Sequence, residues 1–374
     1  MNEVRIAVIG VGHLGRIHAK LLADVPGARL VAVVDPSEAN RARAAAETGA
    51  EPFADFRSVL GRIDATVIAT PTRYHHAVAA ELLGAGIHAL VEKPLAPTAG
   101  ECSNLVELAD HHGAILQVGH VERFNPAWQH ALAGAGDPKF ISACRTSGYS
   151  FRSTDIGAVL DLMIHDIDLA LWLTKSRVVS VEALGIALFG REEDAAHARL
   201  VFENGCVAVL SACRASYQAQ RSFQFWSRRA YVNVDLGTRT SEVIRPSEAI
   251  LRRELNLAAY SAEQASAAKD TLLAEHLPRT THTAPAGNPI QEELTEFVRC
   301  IQTGAAPRVP GTSGLAAVEV AEQILDRIAE HAWDGQPAGL IGAAAVAAPA
   351  VLPGPHWRLK TSLETVKFER RDAG

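Results

Sequence analysis

The chain opens on an apolar stretch, residues 3–9, rich in Val and Ile and ending at a glycine cluster. A continuous apolar run bounded by glycine is the pattern of a parallel strand buried on both faces. Residues 14–24 follow with helical composition. The alternation then repeats, with strands predicted over residues 29–34, 64–70, 88–92 and 115–119 and helices over 37–48, 75–85 and 99–111. Gly49 and Gly86 stand where two of these helices should stop. Strand and helix alternating in steps of roughly 25–30 residues predict βαβ units and a parallel sheet.

Beyond Gly119 the pattern changes. A helix is predicted over residues 124–133, a strand over 140–146 and a strong helix over 157–173. Strands are predicted over 178–189, 196–202, 207–212, 223–226 and 230–236, some joined by short turns such as Glu203-Asn204-Gly205, as an antiparallel meander requires. Amphipathic helices are expected over 289–303 and 313–332. The fold class is therefore an α/β domain, residues 1–120, followed by an α+β domain, residues 121–337, with a large, mainly antiparallel open sheet. Residues 338–374 form a C-terminal extension to which the pattern assigns no role. Its Ala-rich part, 339–355, is broken by Pro349 and Pro353 and is expected to be a covering segment or linker rather than a membrane span.

The length of 374 residues suits two domains and a tail. A composition of 48% hydrophobic and 21% charged residues excludes a largely disordered chain. With 36 basic and 42 acidic residues the net charge is −6, which argues against a general nucleic-acid binder. The five cysteines, Cys102, Cys144, Cys206, Cys213 and Cys300, form no C-x-x-C, so neither a disulfide framework nor a cysteine zinc site is expected. An acidic Glu3 and early glycines do not make a signal peptide. A soluble, cytoplasmic protein is expected.

Gly10-Val11-Gly12-His13-Leu14-Gly15 fits G-x-G-x-x-G, and it lies between the first strand and the first helix, the context this motif requires. Gly10 permits the tight turn, Gly12 lets a pyrophosphate approach, and Gly15 lets helix and strand pack closely. His13 and Leu14 begin the helix whose N-terminus faces the phosphates. Asp35, at the end of the second strand, is placed to accept both ribose hydroxyls and to repel a 2′-phosphate. That favours NAD over NADP, although Arg41 and Arg43 stand close enough to reach a phosphate. Lys93, in Glu92-Lys93-Pro94, ends the fourth strand, and ligands of open parallel sheets bind at the carboxyl ends of strands.

At 100° per residue Asp161, His165, Asp168 and Trp172 share one narrow stripe of an otherwise largely apolar helix. A helix apolar nearly all round is buried, and a buried polar stripe must be paired. Three ionisable groups there, in a chain with a dinucleotide loop, point to catalysis. His165 has the unperturbed pKa of a base for an alcohol proton, with Asp161 or Asp168 to orient it and raise its basicity.

The glycine loop, Thr70-Pro71-Thr72-Arg73-Tyr74-His75, Glu92-Lys93-Pro94 and Asp161-x-x-x-His165-Asp166-x-Asp168, in this order, resemble the glucose–fructose oxidoreductase/inositol dehydrogenase (Gfo/Idh/MocA) family over roughly residues 3–335. The resemblance implies a Rossmann domain joined to an α+β domain whose open sheet often makes oligomer contacts, hence a homo-oligomer, a dimer or tetramer. It implies that Lys93 is the catalytic lysine, Asp161 a substrate-binding aspartate and His165 the catalytic histidine. It places Thr70, Pro71 and His75 near the cofactor and Glu92 near the nicotinamide ribose. Gln117-Val118-Gly119-His120-Val121-Glu122-Arg123-Phe124-Asn125-Pro126 resembles members that oxidise the 3-hydroxyl of UDP-N-acetylglucosamine. Arg123 and Asn125 are its candidate substrate contacts, Arg123 either meeting a diphosphate or forming a domain-linking salt bridge. The histidine pairs His75-His76 and His111-His112 point apart, and no metal is assigned.

The expected activity is NAD-dependent oxidation of a sugar secondary alcohol, preferentially the 3-hydroxyl of UDP-N-acetylglucosamine or a related nucleotide sugar. The rivals are a dehydrogenase of free cyclic polyols or sugars and a non-catalytic NAD-sensing protein, against which the presence of both Lys93 and His165 argues.

Overall fold

The structure is a computed structural model that describes residues 3–132, 136–151, 155–333, 335 and 339–347. Six strands make the first sheet: β1 (Val4–Ile9), β2 (Ala28–Val34), β3 (Glu51–Phe53), β4 (Ala65–Ile68), β5 (His88–Val91) and β6 (Leu116–Val118). All pair in parallel in the order β3-β2-β1-β4-β5-β6. This is the doubly wound dinucleotide-binding order, and the strand order reverses between β1 and β4. The short edge strand β3, with a proline and an exposed glutamate, has no apolar periodicity and was not expected. Helices α1 (His13–Leu21), α2 (Glu38–Thr48), α3 (His75–Gly84) and α4 (Ala99–His112) cross between the strands. Two of the helix starts are legible as side-chain caps: Ser37 Oγ accepts from Asn40 N, and Thr98 Oγ1 from Glu101 N.

The polypeptide then passes through a single turn, Val121–Phe124, into a short helix α5 (Pro126–Ala131), where one helix over 124–133 was expected. Asn125 interrupts it by capping Ala127 N, and Pro126 occupies the first helical position. The second sheet has eight strands: β7 (Pro138–Thr146), β8 (Val178–Ile186), β9 (Ala195–Phe202), β10 (Val207–Cys213), β11 (Gln220–Ser227), β12 (Tyr231–Asp235), β13 (Thr240–Ile244) and β14 (Arg279–Thr283). Their order is β14-β13-β12-β11-β7-β10-β9-β8, with β7–β10 the one parallel pairing. The expected open, mainly antiparallel sheet is present. Helix α6 (Ile164–Thr174), entered through a wide π-helical turn at Val159–Met163, covers one face. The other face is open and carries Trp226 in contact with Phe140 and with Tyr231. Between β13 and β14 the short helices α7 (Glu248–Leu251), α8 (Ala262–Ala268) and α9 (Leu272–His276) have no buried residue.

The expected boundary at residue 120 separates the sheets but not the packing. Helix α10 (Pro289–Thr303) returns to the first sheet, and its Leu294, Phe297 and Val298 join Ile6, Val8, Val33, Val67 and Leu90 in one core. Helix α11 (Gly311–Glu330) lies between the two sheets. Cβ atoms at its Gly311 and Gly314 would press on Leu116 and Val118 of β6, while its Ile328 rests against Gly185 of β8. The second core is accordingly continuous from Leu105 and Val118 to Trp128, Phe223 and Ile324. Of the Ala-rich stretch, 339–347 is described: Ala343 of α12 (Ala343–Ala347) accepts from Ala187 N beyond β8, as a covering segment would. The remainder of the extension lies outside the described residues. Among the described residues no helix is long and apolar enough to cross a membrane.

One residue works against this packing. Glu293 of α10 is fully buried and neither carboxyl oxygen has a hydrogen-bond partner. Burial, with Glu92 and Glu296 nearby, drives its pKa well above the usual carboxylate range. Below the unfolded pKa both states bind the proton. As pH rises the unfolded chain alone ionises, and stability falls by about 1.4 kcal/mol per pH unit until the folded pKa is reached. Glu293→Gln is therefore expected to match the wild type near pH 4 and to exceed it increasingly towards pH 7, by at least ~1 kcal/mol. Urea denaturation at several pH values measures this. A pH-independent loss in the variant would show that the carboxyl is paired.

Candidate active site

The glycine loop is built for close approach. Gly10 has φ of +82°, and a Cβ there would lie 2.7 Å from Ala69 O. A Cβ on Gly15 would fall 1.8 Å from Gly10 O. Gly12 has nothing within 4 Å of a virtual Cβ, so its backbone is open on the side a pyrophosphate approaches. Helix α1 starts at His13 with no side-chain cap on its first N–H groups, which leaves them for an anion. Leu14 is half-buried beside it. Asp35 anchors the far side: Oδ2 accepts from Val11 N at 3.0 Å and Oδ1 from Ser37 N at 2.9 Å. Arg41 is turned onto backbone carbonyls, donating to Pro36 O at 2.9 Å. These residues fit a dinucleotide.

The nicotinamide end is tied together by histidines. Buried His75 contacts Pro94 O at 2.8 Å and Thr70 O at 2.9 Å, joining the end of β4 to the cis Lys93–Pro94 turn. Burial lowers its pKa. Thr70 Oγ1 is buried without a protein partner, and Pro71 is exposed next to it. Glu92 Oε1 meets His18 Nε2 of α1 at 2.7 Å. Burial opposes its charge, but His18 and Lys93 hold the carboxyl below the usual range.

Lys93 crosses to the second domain. Its Nζ donates to Asp161 Oδ1 at 3.0 Å and to the Asp161 carbonyl at 2.6 Å. The carbonyl accepts because Asp161 sits in the π-helical turn. Such turns loosen the ordinary hydrogen-bond ladder and recur at functional sites. The regular stripe expected along this helix is thereby divided. Asp161 and His165 face Lys93, whereas Asp168 is fully buried against Arg123. Neither carboxylate orients His165: Asp161 is held by Lys93 and Asp168 by Arg123, and His165 Nδ1 is buried without a partner. Its pKa is not raised either. Burial first, then the charges of Lys93, Arg145, His120 and Arg221, hold it well below the usual histidine range. The imidazole is neutral at pH 7, the state in which it accepts a proton.

Two further expectations change. Arg123 is 4% exposed. It binds Asp168 through Nε at 2.8 Å and Nη2 at 2.6 Å, and the Arg308 carbonyl through Nη1 at 3.0 Å. Of its two readings the salt bridge is the one the geometry satisfies, because bidentate pairing uses the fork a diphosphate would need. Asn125 is likewise internal: Oδ1 caps α5, and Nδ2 donates to Glu122 Oε2 and Leu236 O. No donor of its side chain is left for a substrate.

Two site features escaped the sequence. Arg145, 3% exposed, binds Asp166 through two nitrogens and Glu122 through the third, fixing the residue next to His165. His120, 1% exposed, has both ring nitrogens unpaired and stands edge-on to His165 at 6.2 Å between centroids. An isolated histidine after a strand has no periodicity to reveal it, and Arg145 reads as one arm of an alternating strand.

Residues 4–120 match the oxidoreductase family with an NAD-binding Rossmann fold, and residues 136–237 match the GFO/IDH/MocA C-terminal domain. The chain belongs to this family. UDP-N-acetylglucosamine 3-dehydrogenase of Acidithiobacillus ferrooxidans is 38% identical over 245 residues, 65% of this chain and 77% of the relative. Its solved structure superposes with a TM-score of 0.76 at 30% identity, covering 87% of this chain and 98% of that one. The scyllo-inositol 2-dehydrogenase of Bacillus subtilis is 34% identical over 235 residues, 58% of this chain and 68% of the relative. The protein is an NAD-dependent sugar dehydrogenase, and NAD is its cofactor.

Removing Arg123 leaves a buried carboxylate uncompensated. Arg123→Ala is expected to cost ~3–5 kcal/mol of stability, read as a lowered thermal and urea midpoint. An unchanged midpoint with selective loss of substrate binding would return Arg123 to the substrate. Asp35 is expected to favour NAD over NADP by roughly ten- to hundredfold. Fluorescence titration of both cofactors checks this, and equal affinities would remove that role from Asp35.

Proposed function

We propose that this dehydrogenase oxidises the 3-hydroxyl of UDP-N-acetylglucosamine, or of a closely related nucleotide sugar, to the ketone. The observation that carries the chemistry is the meeting of Lys93, Asp161 and His165 at the carboxyl end of β5. The 38% identity to a UDP-N-acetylglucosamine 3-dehydrogenase supports the substrate. Bound NAD supplies the hydride acceptor. Neutral His165 takes the hydroxyl proton as the carbon–hydrogen bond breaks. The Lys93 ammonium donates a hydrogen bond to the substrate oxygen as negative charge develops there. Asp161 holds that ammonium in place and offers its remaining oxygen to a neighbouring hydroxyl. Glu92, Thr70 and His75 shape the nicotinamide end, and His13 and Leu14 the phosphate end. The reading includes a cytoplasmic homo-oligomer joined through the open sheet face with Phe140, Trp226 and Tyr231.

Lys93→Met and His165→Ala are each expected to retain NAD affinity and to lose ~10²–10⁴-fold in turnover. The protonated imidazole is inactive, so kcat/KM rises with pH through an ionisation below the usual histidine range, and the limb is absent in His165→Ala. Near-normal rates in either variant would defeat the proton-transfer scheme. The substrate is tested by comparing UDP-N-acetylglucosamine with myo-inositol and glucose, with an aminotransferase and glutamate removing the ketone. Turnover of a free polyol with no response to the nucleotide sugar would favour the polyol reading.

A further inference from the structure

The proposed substrate carries two phosphates, and Arg123 cannot meet them. A different cation stands at the site. Arg221 is the second residue of β11 and pairs in register with Arg145 of β7. Both belong to the face of the sheet that packs on α6, since Phe223 and Phe225 alternate with Arg221, and Ile141 and Ala143 with Arg145, all buried there. Arg145 is neutralised by Glu122 and Asp166. The Arg221 side chain is exposed and makes no hydrogen bond or salt bridge among the described residues, although its charge acts on Asp166. The row continues across the sheet. Leu236 N donates to Arg221 O, and Arg239 follows in the β12–β13 turn, one residue before Thr240, which pairs with Asp235. Arg239 adopts φ of +61°, unusual for a residue with a side chain, and its Nε is buried without a partner.

We infer that Arg221, with Arg239 further along the same row beyond Leu236, is the subsite for the diphosphate of a nucleoside diphosphate sugar. The inference rests on the nucleotide-sugar reading above and names the group that recognises it. In a sugar carrying its diphosphate on C1, the anion is attached two ring carbons from the 3-hydroxyl. Its anchor must therefore lie beside the base rather than at it. Arg221 meets that condition: it neighbours Arg145, which holds Asp166, the residue after His165. Its charge also reaches His165, where it opposes protonation. An arriving diphosphate neutralises that charge and makes the imidazole a stronger base only when substrate is present. Binding energy from a remote, non-reacting group is thereby used at the reacting centre.

The test is calorimetric titration of NAD-saturated protein with UDP and with uridine. Wild type is expected to bind UDP more tightly than uridine. Arg221→Ala is expected to lose roughly tenfold or more in UDP affinity, with uridine affinity and NAD binding unchanged. Arg221→Lys keeps part of the loss from appearing. Because Arg221 is exposed and unpaired, these variants should fold, and their thermal midpoints verify it. If wild type prefers UDP and Arg221→Ala binds it equally well, the subsite is wrong while the nucleotide-sugar reading stands. If wild type binds UDP no better than uridine, the subsite is wrong. Absent turnover of UDP-N-acetylglucosamine would then remove the reading beneath it as well.

Discussion

A lysine at the end of a buried parallel strand has its ammonium held by two oxygens of a single residue on the far side of the cleft. Lys93 reaches both the carboxylate and the carbonyl of Asp161, and the second bond is available because the chain widens into a π-helical turn there. This contact brings the dinucleotide-binding domain and the C-terminal domain to one point. Three consequences follow from it. The ammonium is fixed without a neutralising partner of its own on β5. The Asp161 carboxylate is removed from His165. The imidazole is left buried and beside a positive charge, and burial first, then that charge, keeps it unprotonated.

Behind that contact lies a set of buried ion pairs. Arg145 holds Glu122 and Asp166, Arg123 holds Asp168, and Arg214 holds Asp194. Desolvation takes back most of what such pairs gain, so they contribute little net stability. Their effect is positional. Two of the arginines grip the carboxylates on either flank of the helix that carries His165, which sets the rotation of that helix over the site.

The first sheet was legible almost strand by strand because parallel strands buried on both faces read as uninterrupted Val and Ile runs. Only β3 was missed, three residues with no such run. The glycine loop was legible because backbone approach leaves glycine no substitute. The helix of Asp161 and His165 was found as an element, but not its geometry. A 100° projection assumes α-helical winding, and nothing in the local composition announces a wider turn. The segment from Gln117 to Pro126 pointed towards nucleotide-sugar relatives, yet its polar residues proved internal. A charged side chain after a strand looks the same in sequence whether it faces a ligand or a buried partner. Arg123 was misplaced for that reason: its partner, Asp168, lies 45 residues along the chain, and sequence spacing does not register it. Strands β13 and β14 and the segment between them were missed because the strands are five residues each and the intervening helices are short, with no buried face to set a periodicity.

Helix α11 has a mechanical implication. Its glycines admit Leu116 and Val118 of the first sheet, its Ile328 lies on β8 of the second, and Glu322 accepts from Ala99 N at the start of α4. A hinge between the two sheets would have to pass through this helix and through a hydrophobic core that runs unbroken beneath it. Opening the cleft by rotation would expose close-packed apolar surface at roughly 25 cal/mol for every Å². The two sheets therefore move as one body. Entry of cofactor and sugar falls to the loops at the rim, and discrimination between substrates to fixed charges facing a cleft of constant width.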